Sequence, residues 1–153
     1  RGNAGDDVFV AGAQADTLLG GRGDDLLRGG GGVDLLKGNR GADDLYGNAK
    51  ADVLNGGGGA DLLVGGRGKD DLTGGKGADT FLFTGKYGRD TVEDFGRGRD
   101  VLAFASDDVA DFDAAMGFAR QRGDDVVIDT DDGLVRLLDT DLDSLTARDF
   151  DFV

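Results

Sequence analysis

The chain is 153 residues long with a formal charge of −14, and it contains 30 Gly but no Pro, Cys or His. Without Cys or His there are no disulfides, no thiolate or imidazole metal sites, no H-E-x-x-H zinc chemistry and no Ser-His or Cys-His couple; the negative charge makes nucleic acid and anionic membrane poor partners. So much Gly with no Pro excludes collagen and Pro/Gly linkers, and points to a fold that needs many positive-φ positions while keeping its backbone N–H groups.

Glu93 is the only glutamate, so almost every acid is the short Asp carboxylate, which suits turns and hard cations. No apolar run approaches the roughly 18 residues of a membrane span. The chain opens at Arg1, without a starting Met or a signal peptide, directly before a repeat. It therefore reads as a piece of a longer protein, with a further domain expected N-terminal to Arg1.

From Gly2 to Leu82 the sequence divides into nine nonamers without insertion, beginning at Gly2, Ala11, Gly20, Gly29, Gly38, Gly47, Gly56, Gly65 and Gly74. The second position is only Gly or Asn, the residues most at ease with positive φ. The sixth is Asp in every copy: Asp7, Asp16, Asp25, Asp34, Asp43, Asp52, Asp61, Asp70 and Asp79. The eighth is Leu or Phe, from Phe9 to Phe81, and a flexible linker has no reason for such spacing. Positions one to six predict a tight turn. Positions seven to nine predict a very short strand, with the eighth side chain inward and Arg28, Lys37, Asp44, Asn55 and Asp71 outward. Two nonamers then make one coil of a flattened solenoid, with coils about 4.8 Å apart and a right-handed crossover.

Stacking sets each sixth-position Asp over the one two repeats away, giving a column of carboxylates down each edge. At roughly 5 Å these repel by somewhat under 1 kcal/mol in water, and by more at lower dielectric. One inward Leu or Phe per nonamer cannot offset about 1–2 kcal/mol of backbone entropy per residue. A cation must neutralise the columns. Carboxylates and turn carbonyls, with no N or S donors, select Ca²⁺ over Zn²⁺ or Cu²⁺, while Mg²⁺ holds to its waters and its octahedron. Nine loops in two columns leave about seven inter-loop gaps for Ca²⁺.

GGRGDDLLR at Gly20–Arg28 and GGRGKDDLT at Gly65–Thr73 resemble the G-G-x-G-x-D-x-U-x nonapeptide of RTX proteins. The resemblance covers Gly2–Leu82 and implies an all-β, right-handed parallel β-roll with Ca²⁺ between loops on successive coils. It also implies the ligands: first- and third-position carbonyls of one loop, second- and fourth-position carbonyls of the loop one coil away, and one oxygen from each sixth-position Asp. In the odd column the first set is Gly2, Ala4, Gly20, Arg22, Gly38, Arg40, Gly56 and Gly58. The second set there is Gly21, Gly23, Gly41, Gly57, Gly59, Gly75 and Gly77. In the even column the two sets are Gly29, Gly31, Gly47 and Ala49, and Gly30, Gly32, Gly66 and Gly68. Ala11, Gln14 and Lys50 depart from the pattern, all in the even column, and Lys50 sets a positive charge beside a cation. The odd column is therefore expected to bind more tightly.

After Leu82 the register slips. Residues 85–90 read as a decayed tenth loop after a two-residue insertion, residues 96–102 as an eleventh, and residues 90–95 alternate like a strand. This stretch resembles the D-x-I-x-D-F-x-x-G-x-D-x-I segment that follows the roll in serralysin-type secreted metalloproteases. The likeness implies one or two further Ca²⁺ sites within residues 85–100, using Asp90, Asp94 and Asp100. Residues 107–119 favour a short helix with Phe112, Ala115, Met116 and Ala119 on one core-facing stripe. Residues 125–130 and 134–139 read as a hairpin around Asp131-Asp132-Gly133; as an EF-hand that loop lacks the required Gly and Glu. The expected organisation is a nine-repeat roll over 1–82, degenerate repeats and transition strands over 83–106, and over 107–153 a C-terminal cap of short helix plus antiparallel strands. The terminal residues 145–153 resemble the uncleaved export signal of type I secretion substrates, and read equally as an edge strand finishing the cap.

These expectations describe a calcium-binding module and not a catalyst. Pairs such as Asp24-Asp25 and Asp124-Asp125 are unremarkable in so Asp-rich a chain, and Ser106 and Ser144 are its only serines. Where calcium is scarce the repeats should stay disordered, fit to thread a type I secretion apparatus; in millimolar extracellular calcium they should fold. The protein is then a secreted bacterial monomer whose roll supports an attached N-terminal domain. The alternative is a module for a surface or an acidic polysaccharide, like rolls appended to alginate epimerases and adhesins, through Arg22, Arg40, Arg67, Lys76, Arg28 and Lys37.

Overall fold

The computed structural model describes residues 1–105 and 109–153. Each nonamer supplies one strand: β1 (Val8–Val10), β2 (Thr17–Arg22), β3 (Leu26–Gly30), β4 (Leu35–Arg40), β5 (Asp44–Ala49), β6 (Val53–Gly58), β7 (Leu62–Arg67), β8 (Asp71–Lys76) and β9 (Thr80–Thr84). The degenerate loops lead into β10 (Gly88–Val92) and β11 (Val101–Ala105). Odd strands form one parallel sheet and even strands a second, so that Leu27 lies beside Leu45 and Leu36 beside Leu54. The result is a parallel β-solenoid of about five turns, as the two-nonamer coil requires.

The strands are longer than the three residues read from the sequence. Most run five or six residues, because the backbone of the following glycines continues the ladder, as where Gly57 pairs with Gly75 and Gly58 with Lys76. From the third repeat on, every second-position residue has positive φ, including Asn39 at 84° and Asn48 at 79°. The eighth-position side chains point inward: Leu27, Leu36, Leu45, Leu54, Leu63 and Leu72 are fully buried between the sheets, with Arg28, Lys37, Asp44 and Asp71 exposed outside.

The ladder offset of 18 residues grows to 20 at Asp70–Asp90 and to 21 at Asp79–Asp100, which absorbs the slipped register. The strand expected over residues 90–95 lies instead at Gly88–Val92. The chain turns away after Val92 because both oxygens of Asp94 accept backbone N–H bonds, from Gly74 and Gly75, at 2.9 Å each.

The cap contains α1 (Phe112–Phe118), β12 (Ala119–Arg122), β13 (Asp125–Asp129), β14 (Gly133–Leu137) and β15 (Phe150–Phe152). Asp111 caps α1 by accepting the Ala114 N–H, and Ala115 sits in the core. Residues 107 and 108 of the expected helix, and Ser106, lie outside the described residues. The hairpin β13–β14 is present and gains β12, which the sequence did not suggest. β14 pairs in parallel with β10 and extends the even sheet; β15 pairs in parallel with β11 and extends the odd one. The C-terminus is thus an edge strand. Between them Phe83, Tyr87 and Phe104 pack ring on ring, and the Tyr87 hydroxyl bonds Thr130 at 2.6 Å. Among the described residues no helix is long and apolar enough to cross a membrane.

Candidate metal centre

The sixth-position aspartates form two ladders. On one edge stand Asp7, Asp25, Asp43, Asp61 and Asp79, continued by Asp100; on the other Asp16, Asp34, Asp52 and Asp70, continued by Asp90. Each rung is tied to the next in one way: the backbone N–H of one Asp donates to Oδ1 of the Asp one coil on, at 2.8–3.1 Å throughout. The decayed tenth and eleventh loops therefore keep the rung although their sequence has drifted. Asp94 stands apart, its carboxylate held by Gly74 and Gly75.

This bonding uses only one oxygen of each carboxylate. Oδ2 of Asp25, Asp34, Asp43, Asp52, Asp61, Asp70 and Asp90 is buried with no hydrogen-bond partner. Leaving one such acceptor bare costs about 1–3 kcal/mol, and more when it is charged. Three such oxygens on one edge and four on the other fit a row of cations along each ladder.

The glycines explain how cation room is kept. At Gly20 a Cβ would overlap Oδ2 of Asp25 and the carbonyl oxygen of Gly38; at Gly38 it would overlap Oδ2 of Asp43 and the carbonyl of Gly56. Gly2 and Gly47 stand likewise against Asp7 with Gly20, and Asp52 with Gly65. At these four first positions a carboxylate oxygen and a carbonyl oxygen from the next coil thus converge where the side chain is omitted. At the fourth position Gly41 and Gly59 leave space for the carbonyls of Gly23 and Gly41. Gln14 and Lys50 still direct their carbonyls at Gly32 and Gly68, so those departures keep the backbone ligand. Among the described residues no three acidic side chains gather at one point. Each gap offers two carboxylates, and its other oxygens are carbonyls, a donor set for a hard cation such as Ca²⁺.

Burial raises these carboxyls. It pushes Asp52 and Asp61 up to about 7, Asp70 to about 6 and Asp90 to about 8, and it raises Asp43 and Asp79; the donated N–H opposes the shift, and the charge of nearby aspartates adds to it. Without a cation, the folded chain binds more protons than the unfolded chain between about pH 4 and 7, so its stability falls as pH rises through that window. A bound cation requires the ionised form, so affinity must rise through the same window. Calcium affinity measured by calorimetry is expected to drop about tenfold or more between pH 7.5 and pH 5.5. An affinity constant over that range contradicts the assignment.

Sequence reading missed a second, outer ladder at position five, where Asp6 Oδ1 accepts from Asp24 N–H and Asp24 Oδ1 from Ala42 N–H. Its signal was the doublets Asp6-Asp7 and Asp24-Asp25. The basic residues do not make one groove. Arg22 and Arg40 are adjacent at the ends of β2 and β4, Arg67 ends a strand of the other sheet, and Arg28 and Lys37 lie on different sheets.

A β-solenoid whose coils carry paired buried carboxylates along both edges belongs to the class of cation-stacked β-rolls. The model of the RTX calcium-binding nonapeptide repeat matches residues 1–36, 37–72 and 46–81. The chain belongs to this family, and it is a calcium-binding RTX module. No curated protein sequence matches it. Among solved structures it is similar to the extracellular lipase LipA from Serratia marcescens, at 21% identity and a TM-score of 0.59 over 95% of this chain; it spans 38% of the lipase's length. It is also similar to the AlgE6R3 subunit of the Azotobacter vinelandii mannuronan C5-epimerase, at 22% identity and a TM-score of 0.42, covering 99% of this chain and 80% of that one. At such identity the lipase likeness is one of fold.

Proposed function

We propose that this chain is a calcium-triggered folding module of a secreted protein. The observation that carries the reading is the run of seven buried, partnerless Oδ2 atoms. Such a stack is self-repelling where calcium is scarce and held together where calcium is millimolar. A chain that is disordered inside a cell and folded outside can thread a type I secretion apparatus and then keep itself and an attached N-terminal domain from returning. Six rungs on one edge and five on the other leave about nine gaps, the last on each edge supplied by Asp100 and Asp90. Likeness to an extracellular lipase supports the setting, and the module itself supplies stability and not chemistry. The lysines and arginines spread along the chain make trypsin a direct reporter. In calcium the roll is expected to resist cleavage, and in EDTA residues 1–105 should be cut within the time that a casein control is. Equal resistance in both conditions would show that calcium does not hold the fold.

A further inference from the structure

Acids make up 31 of the 153 residues, yet a cavity rimmed by three arginines has none. It lies at the ends of β2 and β4, encloses about 450 Å³, and is rimmed by Arg1, Arg22 and Arg40 with Asn3 and Asn39. Arg22 and Arg40 are direct cross-strand partners, so their side chains leave successive coils about 4.8 Å apart. Like charges placed opposite each other destabilise a sheet. No carboxylate relieves them: among the described residues the ion pairs are Lys86 with Asp132 and Arg136 with Asp125. The fold therefore sets two arginines side by side on this cavity with no ion pair to either.

The wall behind this cavity includes Gly2 and Gly20, which face Asp7 and Asp25 in the odd ladder. While those carboxylates are bare, their field repels an anion. Cations in the gaps remove it, and divalent ions in all the gaps carry the formal charge of −14 past zero. The exclusion of anionic partners, which rested on that charge, then no longer holds. We propose that the cavity of Arg1, Arg22 and Arg40 binds a phosphomonoester group when the neighbouring gaps are filled, an inference that rests on the calcium reading above. One carboxylate offers two oxygens and a single charge, enough for one guanidinium fork. A phosphomonoester brings three terminal oxygens and nearly two charges, enough to bridge forks on successive coils.

The test is calorimetric titration of the whole chain with glucose 1-phosphate in millimolar calcium, with galacturonate as the carboxylate comparison. Saturable one-site binding is expected, weakened about tenfold or more in the Arg22→Ala/Arg40→Ala double variant and unchanged in Arg89→Ala. Galacturonate should bind about tenfold more weakly, and EDTA should abolish binding of either. The double variant keeps both backbone carbonyls, so its calcium-induced circular dichroism should match the parent. Equal affinity in the double variant, equal affinity for galacturonate, or binding that survives EDTA overturns the proposal. Circular dichroism on the same samples tells the two readings apart: if the site alone fails, the roll still forms with calcium; if the calcium reading fails, it does not.

Discussion

Asp61→Ala is expected to remove most of the calcium-dependent stability of the roll. Asp61 sits mid-ladder: its Oδ1 accepts the Asp43 N–H and its own N–H donates to Asp79. The substitution strands a buried N–H, at a cost of about 1–3 kcal/mol, and takes a carboxylate from the gaps on both sides. Asp61→Asn separates these effects, because an amide oxygen still accepts the Asp43 N–H but carries no charge. Burial holds the Asp61 carboxyl up at about 7, so without a cation the charge is a burden above that pH. In calcium at pH 8 the parent should therefore melt highest, Asp61→Asn lower and Asp61→Ala lowest, as thermal unfolding measures, while in EDTA none of the three should show a folding transition. Asp61→Asn melting as high as the parent in calcium would mean that the charge has no cation to meet. Asp34→Ala, in the column that carries Lys50, should cost less calcium affinity than Asp43→Ala; equal losses would remove the distinction between the two edges.

The second large effect is at a glycine. Gly41 has φ of 124°, and a Cβ there would overlap the carbonyl oxygen of Gly23 on the coil before. The backbone strain alone costs about 1–2 kcal/mol. The overlap also forces two coils apart at the level where their carbonyls and carboxylates must converge. Gly41→Ala is expected to lower the melting temperature in calcium by roughly 5–10 °C. Gly31→Ala is the control, since its nearest neighbour would be Ala13 Cα at 3.6 Å and its φ is not positive; it should shift melting by less than about 2 °C. Equal shifts would mean that coil spacing does not depend on the missing side chain.

Nearly all of the roll was legible because each column of the repeat has one physical task. Leu27, Leu45 and Leu63 mark the inside, the second-position Gly and Asn residues mark positive φ, and Asp25, Asp43 and Asp61 mark the ladder. Hydrogen-bond detail was not legible. Nothing in the spacing says that Oδ1 of each Asp is taken by a backbone N–H one coil away, and this is what leaves Oδ2 alone. Asp94 shows the same limit: nothing in its spacing says that both of its oxygens accept glycine N–H groups. The cap was read in outline. β12 escaped because Ala119–Arg122 is short and its pattern polar, and it is held as a strand by pairing with β13. Strand ends were misplaced wherever glycines carried the ladder past the third residue, since Gly signals a turn by composition and a strand only by its neighbours.

The most direct measurement is a calcium titration of the metal-stripped chain, following far-UV circular dichroism and heat on the same samples. Cooperative appearance of β-structure is expected, complete at about nine ions per chain and reversed by EDTA. The same β-signal in EDTA at neutral pH, with no heat of calcium binding, would contradict the account.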